Sequence, residues 1–426
     1  MLPKFSKITL ENGFEIYHTP LNLGSNVISI DLYYKVGSRN ETMGKSGIAH
    51  MLEHLNFKST DNRKAGEFDS IVKGFGGVNN ASTGFDFTHY FIKCSNQNLD
   101  TSLELYADIM ANLSLKEDEF LPERDVVLEE RRWRTDNNPT GMLYFRLFNH
   151  AFMYHPYHWT PIGFIKDIEN WNIADIKEFW SKFYQPKNAF LMITGDIDEN
   201  TAFELGKKHF KDIKNRCEIP SVHCIEPEQN GEKSLIIHKQ SDVEMIAIAY
   251  KIPPFNHPDQ TALSAIGEYL SSGKSSLFER VLIDKLNLVN QIYAYPMDSI
   301  DENLFIIIAI CNQGVKAKKV KKEILQLLKK LKKNDIDSDE LTKIKNCLKS
   351  NFIYSLSSAS KLASLYGSYI ARGDIEPLWQ LSSRTNSLTA QDIKECANRY
   401  FNKDKSTTII LKGTKWKRVF MELWQL

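Results

Sequence analysis

The sequence predicts an α+β protein made of two homologous α/β-sandwich domains, each with a mainly antiparallel sheet packed by helices. Three observations predict this class. Strand-like alternation at residues 29–36 and 85–92 recurs at 246–252 and 304–310, and helical periodicity at 103–113 has a counterpart at 324–331. The third is a tandem duplication. Ala174-Asp175-Ile176-Lys177-Glu178, leading to Phe183-Tyr184 and the apolar run 189–194, returns 217 residues later as Gln391-Asp392-Ile393-Lys394-Glu395, leading to Tyr400-Phe401 and 407–411. Near the start of each half, Tyr34-Lys35-Val36 returns 216 residues later as Tyr250-Lys251-Ile252. Two matches at nearly one offset, close to half the chain length, indicate a repeated domain.

A chain of 426 residues has room for two or three such cores. The segment 211–233, with Pro220, Pro227 and Gly231 among polar residues, reads as the linker. The expected division is therefore an N-terminal domain at 1–215, a linker at 216–232 and a C-terminal domain at 233–426. Residues 1–20 alternate polar and apolar and read as a first strand, not a signal peptide. No apolar run approaches a membrane span. A net charge of +1 gives no global field for nucleic acid. The lysine-rich stretch 316–333 carries a helical stripe of Val320, Ile324, Leu327, Leu328 and Leu331, the pattern of a solvated amphipathic helix. Cys94, Cys217, Cys224, Cys311, Cys347 and Cys396 lack CxxC spacing and read as reduced thiols, so cytoplasmic residence is expected. The tail 413–426, with Trp416, Phe420 and Trp424, receives no assignment.

The chemistry concentrates in His50-Met51-Leu52-Glu53-His54. Residues i, i+3 and i+4 share a helix face, so a helix here lets His50 and His54 grip one cation with Glu53 beside them. Ser46 is the expected N-cap, and Ile48, Met51, Leu52 and Leu55 supply the packing face. Two neutral imidazoles suit zinc; a third ligand and one open position would make the site catalytic. Shifting His50, Glu53 and His54 by 216 lands on Ile266, Tyr269 and Leu270, so the second half repeats the scaffold without the ligands.

A second helix, 123–133, offers acids, with Pro122 suited to its first turn. Glu123 and Glu130, seven apart, share a face with Val127, while Glu129 is turned about 100° away. The inward pair is then Glu123 and Glu130. A solvated helix of Glu–Arg pairs fits the same letters.

His50-Met51-Leu52-Glu53-His54 with Glu130 downstream resembles the inverzincin motif of the M16 (pitrilysin-like) zinc peptidases, in a bacterial subgroup of half-size, two-domain chains. The likeness extends along most of the chain. Tyr34-Lys35-Val36-Gly37-Ser38-Arg39-Asn40-Glu41 precedes the motif, and Gly76-Gly77-Val78-Asn79-Asn80-Ala81-Ser82-Thr83 follows it. His155-Pro156-Tyr157, Pro161-Ile162-Gly163 and Tyr184-Gln185-Pro186-Lys187-Asn188-Ala189 match later landmarks. Gly273-Lys274-Ser275-Ser276-Leu277 resembles the family's inactive repeat.

The resemblance implies that His50, His54 and Glu130 hold Zn2+, that Glu123 assists the site, and that Glu53 is the general base of peptide hydrolysis. It implies that Asn80 and Ala81 lie at a strand edge that pairs with substrate, within a strand expected over 80–91 whose Phe85, Phe87, His89 and Phe91 share one side. The expected substrates are oligopeptides or unfolded polypeptides, and the expected assembly is a homodimer, with neither nucleic acid nor membrane as partner. One departure stands out. Where many members carry an Arg and, seven residues on, a Tyr in the second half, this chain has Ile283 and Asn290. Two other readings remain: a non-catalytic peptide-binding or assembly homologue, and a processing subunit that needs a different partner chain.

Overall fold

The structure, a computed structural model, describes residues 2–21 and 24–414; the tryptophans at 416 and 424 and Phe420 fall outside them. The strands are β1 (Ser6–Thr9), β2 (Glu15–Pro20), β3 (Val27–Tyr34), β4 (Val78–Thr83), β5 (Thr88–Ser95) and β6 (Ala189–Gly195) in one sheet. A second sheet contains β7 (Lys233–Gln240), β8 (Met245–Ile252), β9 (Val289–Pro296), β10 (Asn303–Cys311) and β11 (Ser406–Thr414). Their orders are β1-β2-β6-β3-β5-β4 and β7-β11-β8-β10-β9. Apart from β1, the orders superpose strand for strand. Each sheet is antiparallel except for one parallel pair at the same place, β2 with β6 and β7 with β11.

The repeat is legible down to its caps. The helix Ile173–Phe183 begins where the Asn172 side chain accepts from Asp175 N; the helix Ala390–Tyr400 begins where Thr389 accepts from Asp392 N. Both therefore satisfy the same orphan amide of the first turn. The helix Gln260–Ser271 sits where the motif helix sits in the first half. It buries Ile266 and Leu270 completely, so apolar packing has replaced the ligands. Helix Ala317–Lys333 buries the anticipated stripe and exposes Lys318, Lys319, Lys322, Lys329 and Lys330.

The compact units do not follow one cut of the chain. Among the described residues, one comprises 2–21, 24–131, 154–226 and 350–380; the other comprises 132–153, 227–349 and 381–414. The helix Pro139–Ala151 lies on β8 and β11, and the helix Ala359–Ala371 lies on β3 and β6. Each sheet is thus covered in part by a helix from the other half of the sequence, whereas the sequence reading placed a single boundary in 216–232. Gly367 permits one of these crossings: a Cβ there would stand 2.3 Å from the Tyr33 ring.

In the first unit, Ile48–Leu55 is a short helix whose Ile48, Ala49, Met51, Leu52 and Leu55 are all buried. Its start differs from expectation. Gly47, at φ 87°, is the N-cap, and Ser46 instead donates its hydroxyl to Asp167 at 2.6 Å. The orphan amides go to Glu41, which accepts from Gly47 N at 2.8 Å and Ala49 N at 2.9 Å. Burial pushes the Glu41 carboxyl up to about 8 in spite of these donors. Gly47 is required twice over, by its left-handed backbone and because a Cβ would meet Ile162 O and the Trp171 ring, both at 2.8 Å. The helix carrying the acids runs Glu117–Arg131, so Pro122 lies inside it and not in its first turn. Glu117, Asp118 and Glu119 form the actual start, where acids favour the helix dipole.

Gly47→Ala is expected to destabilise the fold by about 1–3 kcal/mol, read as a lowered Tm in thermal unfolding; an unchanged Tm would contradict the contact.

Candidate metal centre

Packing of the short helix Ile48–Leu55 against Glu117–Arg131 brings two imidazoles to one carboxylate. His50 Nε2 lies 3.6 Å and His54 Nε2 3.4 Å from the same oxygen, Glu130 Oε2. The His50 and His54 rings stand edge to face with centroids 4.7 Å apart. One donor atom from each of His50, His54 and Glu130 lies within 4.8 Å of the others. Tetrahedral zinc with bonds of about 2.0–2.2 Å needs donors roughly 3.3–3.6 Å apart. The two histidine–glutamate separations match that need, and two nitrogens with one oxygen are a donor set zinc accepts. The residues fit the ion.

Glu123 does not share this group but touches it. Its Oε1 lies 2.8 Å from His54 Nδ1, and its Oε2 lies 2.5 Å from Lys58 Nζ. Such a carboxylate fixes the ring's tautomer and leaves Nε2 free to ligate. The electrostatics reflect the crowding. The bond from His54 leads in lowering the Glu123 carboxyl to about 2, with Lys58 adding to it against the opposing effect of burial. Burial pulls the His54 imidazolium down, but bonding to Glu123 and Glu130 outweighs it and lifts the group to about 9.

Glu53 projects from the same turn and accepts a hydrogen bond from the Thr83 hydroxyl. Thr83 ends β4, which lies at the edge of its sheet with Asn80 and Ala81 in it. Asn80 Oδ1 accepts from Ala81 N at 2.9 Å. The single strand expected over 80–91 is in fact a hairpin, β4 and β5 joined through a turn closed by Gly84 N to Phe87 O at 2.9 Å. Phe85 and Phe87 thus belong to the turn. His89 bonds Asp31 at 2.7 Å and stacks on Tyr33, so it packs. Glu129 is exposed.

Sequence reasoning met Lys58, Thr83 and Glu41 only within runs that resemble the family and gave none of them a role. Lys58 stands four residues after His54, a spacing that could have flagged it; Thr83 alternates in phase with Ala81 on the strand. Glu41 had no local signal.

Comparison with known proteins gives the lineage. Residues 22–157 match the family model "Insulinase (Peptidase family M16)", and residues 170–348 match "Peptidase M16 inactive domain". The chain is 53% identical to "Zinc protease PqqE" of Helicobacter pylori over 96% of this chain and 93% of that protein.

The chain belongs to peptidase family M16.

A crystal structure of a protease from Helicobacter pylori has a TM-score of 0.95 and 53% identity, covering 97% of this chain and 100% of that one. Mouse "Mitochondrial-processing peptidase subunit beta" is 24% identical over 97% of this chain and 85% of its own. Within the M16 match, the first segment contains every candidate ligand, and the inactive-domain segment contains the helix with Ile266 and Leu270. Among the described residues no helix is long and apolar enough to cross a membrane.

At neutral pH, seating a cation on His54 must expel a proton held with a pKa of about 9. Zinc titrations by calorimetry at pH 7, in buffers of different protonation enthalpy, are therefore expected to show about one proton released. Affinity should rise about tenfold per pH unit up to pH 9. A proton count near zero contradicts the His54 environment. Glu123→Gln should weaken zinc binding about 10–100-fold, measured by competition with a chelating dye.

Proposed function

We propose that the chain is a zinc-dependent metalloendopeptidase that hydrolyses peptide bonds in oligopeptides or unfolded polypeptides. The observation that carries the reading is the division of labour on one helical turn. His50 and His54 converge with Glu130 on one point, while Glu53, three and one residues away from them, bonds to Thr83 and stays out of the donor group. A bound zinc ion would polarise the scissile carbonyl and acidify water at its open position. Glu53, beside that donor group, would accept the proton of the attacking water and return it to the leaving amine. Glu123 keeps His54 in the tautomer that presents Nε2. The free side of β4 accepts an extended peptide as an added strand, with Asn80 and Ala81 in contact, which gives affinity without a strict sequence code. Pairing there displaces the Asn80 amide from Ala81 N.

The partner in this reading is a second copy of the chain. Likeness to the mitochondrial-processing peptidase subunit favours one alternative, a chain that works only beside a different partner.

Glu53→Gln is expected to retain zinc and lose at least about 100-fold in peptide cleavage, with metal analysis and mass-spectrometric mapping of a mixed peptide library as the readouts. Substantial cleavage by the metal-replete variant would remove Glu53 from the base role. Size-exclusion chromatography of the chain alone should place activity at twice the chain mass; activity that appears only with an added chain supports the alternative.

A further inference from the structure

Thr83 occupies the junction between the edge strand and the proton acceptor. Its hydroxyl donates to Glu53 Oε2. Along β4 the half-buried residues are Asn79, Ala81 and Thr83, whereas Val78, Asn80 and Ser82 are exposed, so Thr83 points to the face that meets the motif helix. Its backbone is held in place from several directions. Thr83 pairs with Thr88 in the hairpin register, the adjoining turn is closed by Gly84 N to Phe87 O, and the Thr88 hydroxyl donates to Val36 O at 2.9 Å. At the strand's other end, Asn79 Nδ2 donates to Asp69 at 2.7 Å. Glu53 is the opposite case. Its backbone is pinned by buried Met51, Leu52 and Leu55, but the side chain has three rotatable bonds and must point one way to accept a proton. A hydroxyl on a rigid strand removes that freedom.

We propose that Thr83 is a positioning residue: its hydroxyl, borne on the strand that receives substrate, holds the Glu53 carboxylate in its proton-accepting orientation. The inference rests on the assignment of Glu53 and β4 under Proposed function. It adds a shared frame: Thr83 stands on the rigid strand whose edge receives the peptide, so base and substrate are aligned on one element.

The test compares Thr83→Val, which keeps shape and loses the hydroxyl, with Thr83→Ser, which keeps the hydroxyl. Glu53→Gln is the control, and zinc content is measured throughout. In steady-state peptide cleavage, T83V should lower kcat about 10–100-fold with zinc content unchanged and KM within about twofold. T83S should recover most of the loss. A wild-type kcat in T83V beside an inactive Glu53→Gln overturns the positioning role and leaves the base assignment standing. A raised KM with unchanged kcat overturns it in favour of strand binding alone. Equal losses in T83V and T83S also overturn it, because the hydroxyl would not be the agent. Full activity in Glu53→Gln removes the underlying reading itself. Should T83V fail to fold, Thr83→Ala against T83S makes the same comparison. Independently of activity, unfolding shifts of T83V and Glu53→Ala in the metal-free protein should be non-additive; additive shifts contradict the bond.

Discussion

The centre depends on how one short helix is seated. Ile48–Leu55 spans eight residues, too few to be helical alone in water. Its geometry therefore comes from outside: five buried apolar side chains on one side, and at its start a glycine in left-handed conformation with Glu41 gathering the free amides. Once that face is fixed, the 3.6-residue period dictates that His50, Glu53 and His54 emerge together. Packing thus sets where the chemistry can occur.

Charge then sets what the seat can hold. His54 stands between two carboxylates, Glu123 and Glu130, and Lys58 neutralises the far oxygen of Glu123. Buried acids need cations close by. Hydrogen bonds to Glu123 and Glu130 favour a proton on His54, which answers part of that need. In the proposed function a divalent ion would replace that proton and draw on all three donors at once. The second sheet supplies the contrast: on the equivalent helix the same positions carry Ile266, Tyr269 and Leu270, and there the demand is for volume rather than charge.

What could be read from the sequence follows from the range of the forces involved. His50, Glu53 and His54 were legible because helix periodicity is local. Glu123 and Glu130 were legible because seven residues are two turns, although the letters alone also fitted a solvated helix. The duplicated sheets were legible through offsets of 216 and 217. The failures were tertiary. Ser46 has the chemistry of an N-cap, but Asp167, far along the chain, takes its hydroxyl, and Glu41 does the capping. Pro122 resembles a helix start, yet the acidic run before it extends the helix upstream. A continuous strand over 80–91 ignored a turn formed by Gly84 and Phe87. The exchange of helices Pro139–Ala151 and Ala359–Ala371 leaves no local mark, because an apolar helix face does not say which sheet it will cover.

The central claim is that His50, His54 and Glu130 form the zinc seat while Glu53 stands beside it. Zinc K-edge absorption on the purified, metal-replete chain, with each of the four residues substituted in turn, tests it most directly. The account predicts about two nitrogens and two oxygens near 2.0–2.2 Å, one oxygen from protein and one from solvent. It predicts altered spectra for His50, His54 and Glu130 variants and an unchanged first shell in Glu53→Gln. Sulfur among the ligands, or a first shell that changes with Glu53 and not with Glu130, would contradict it.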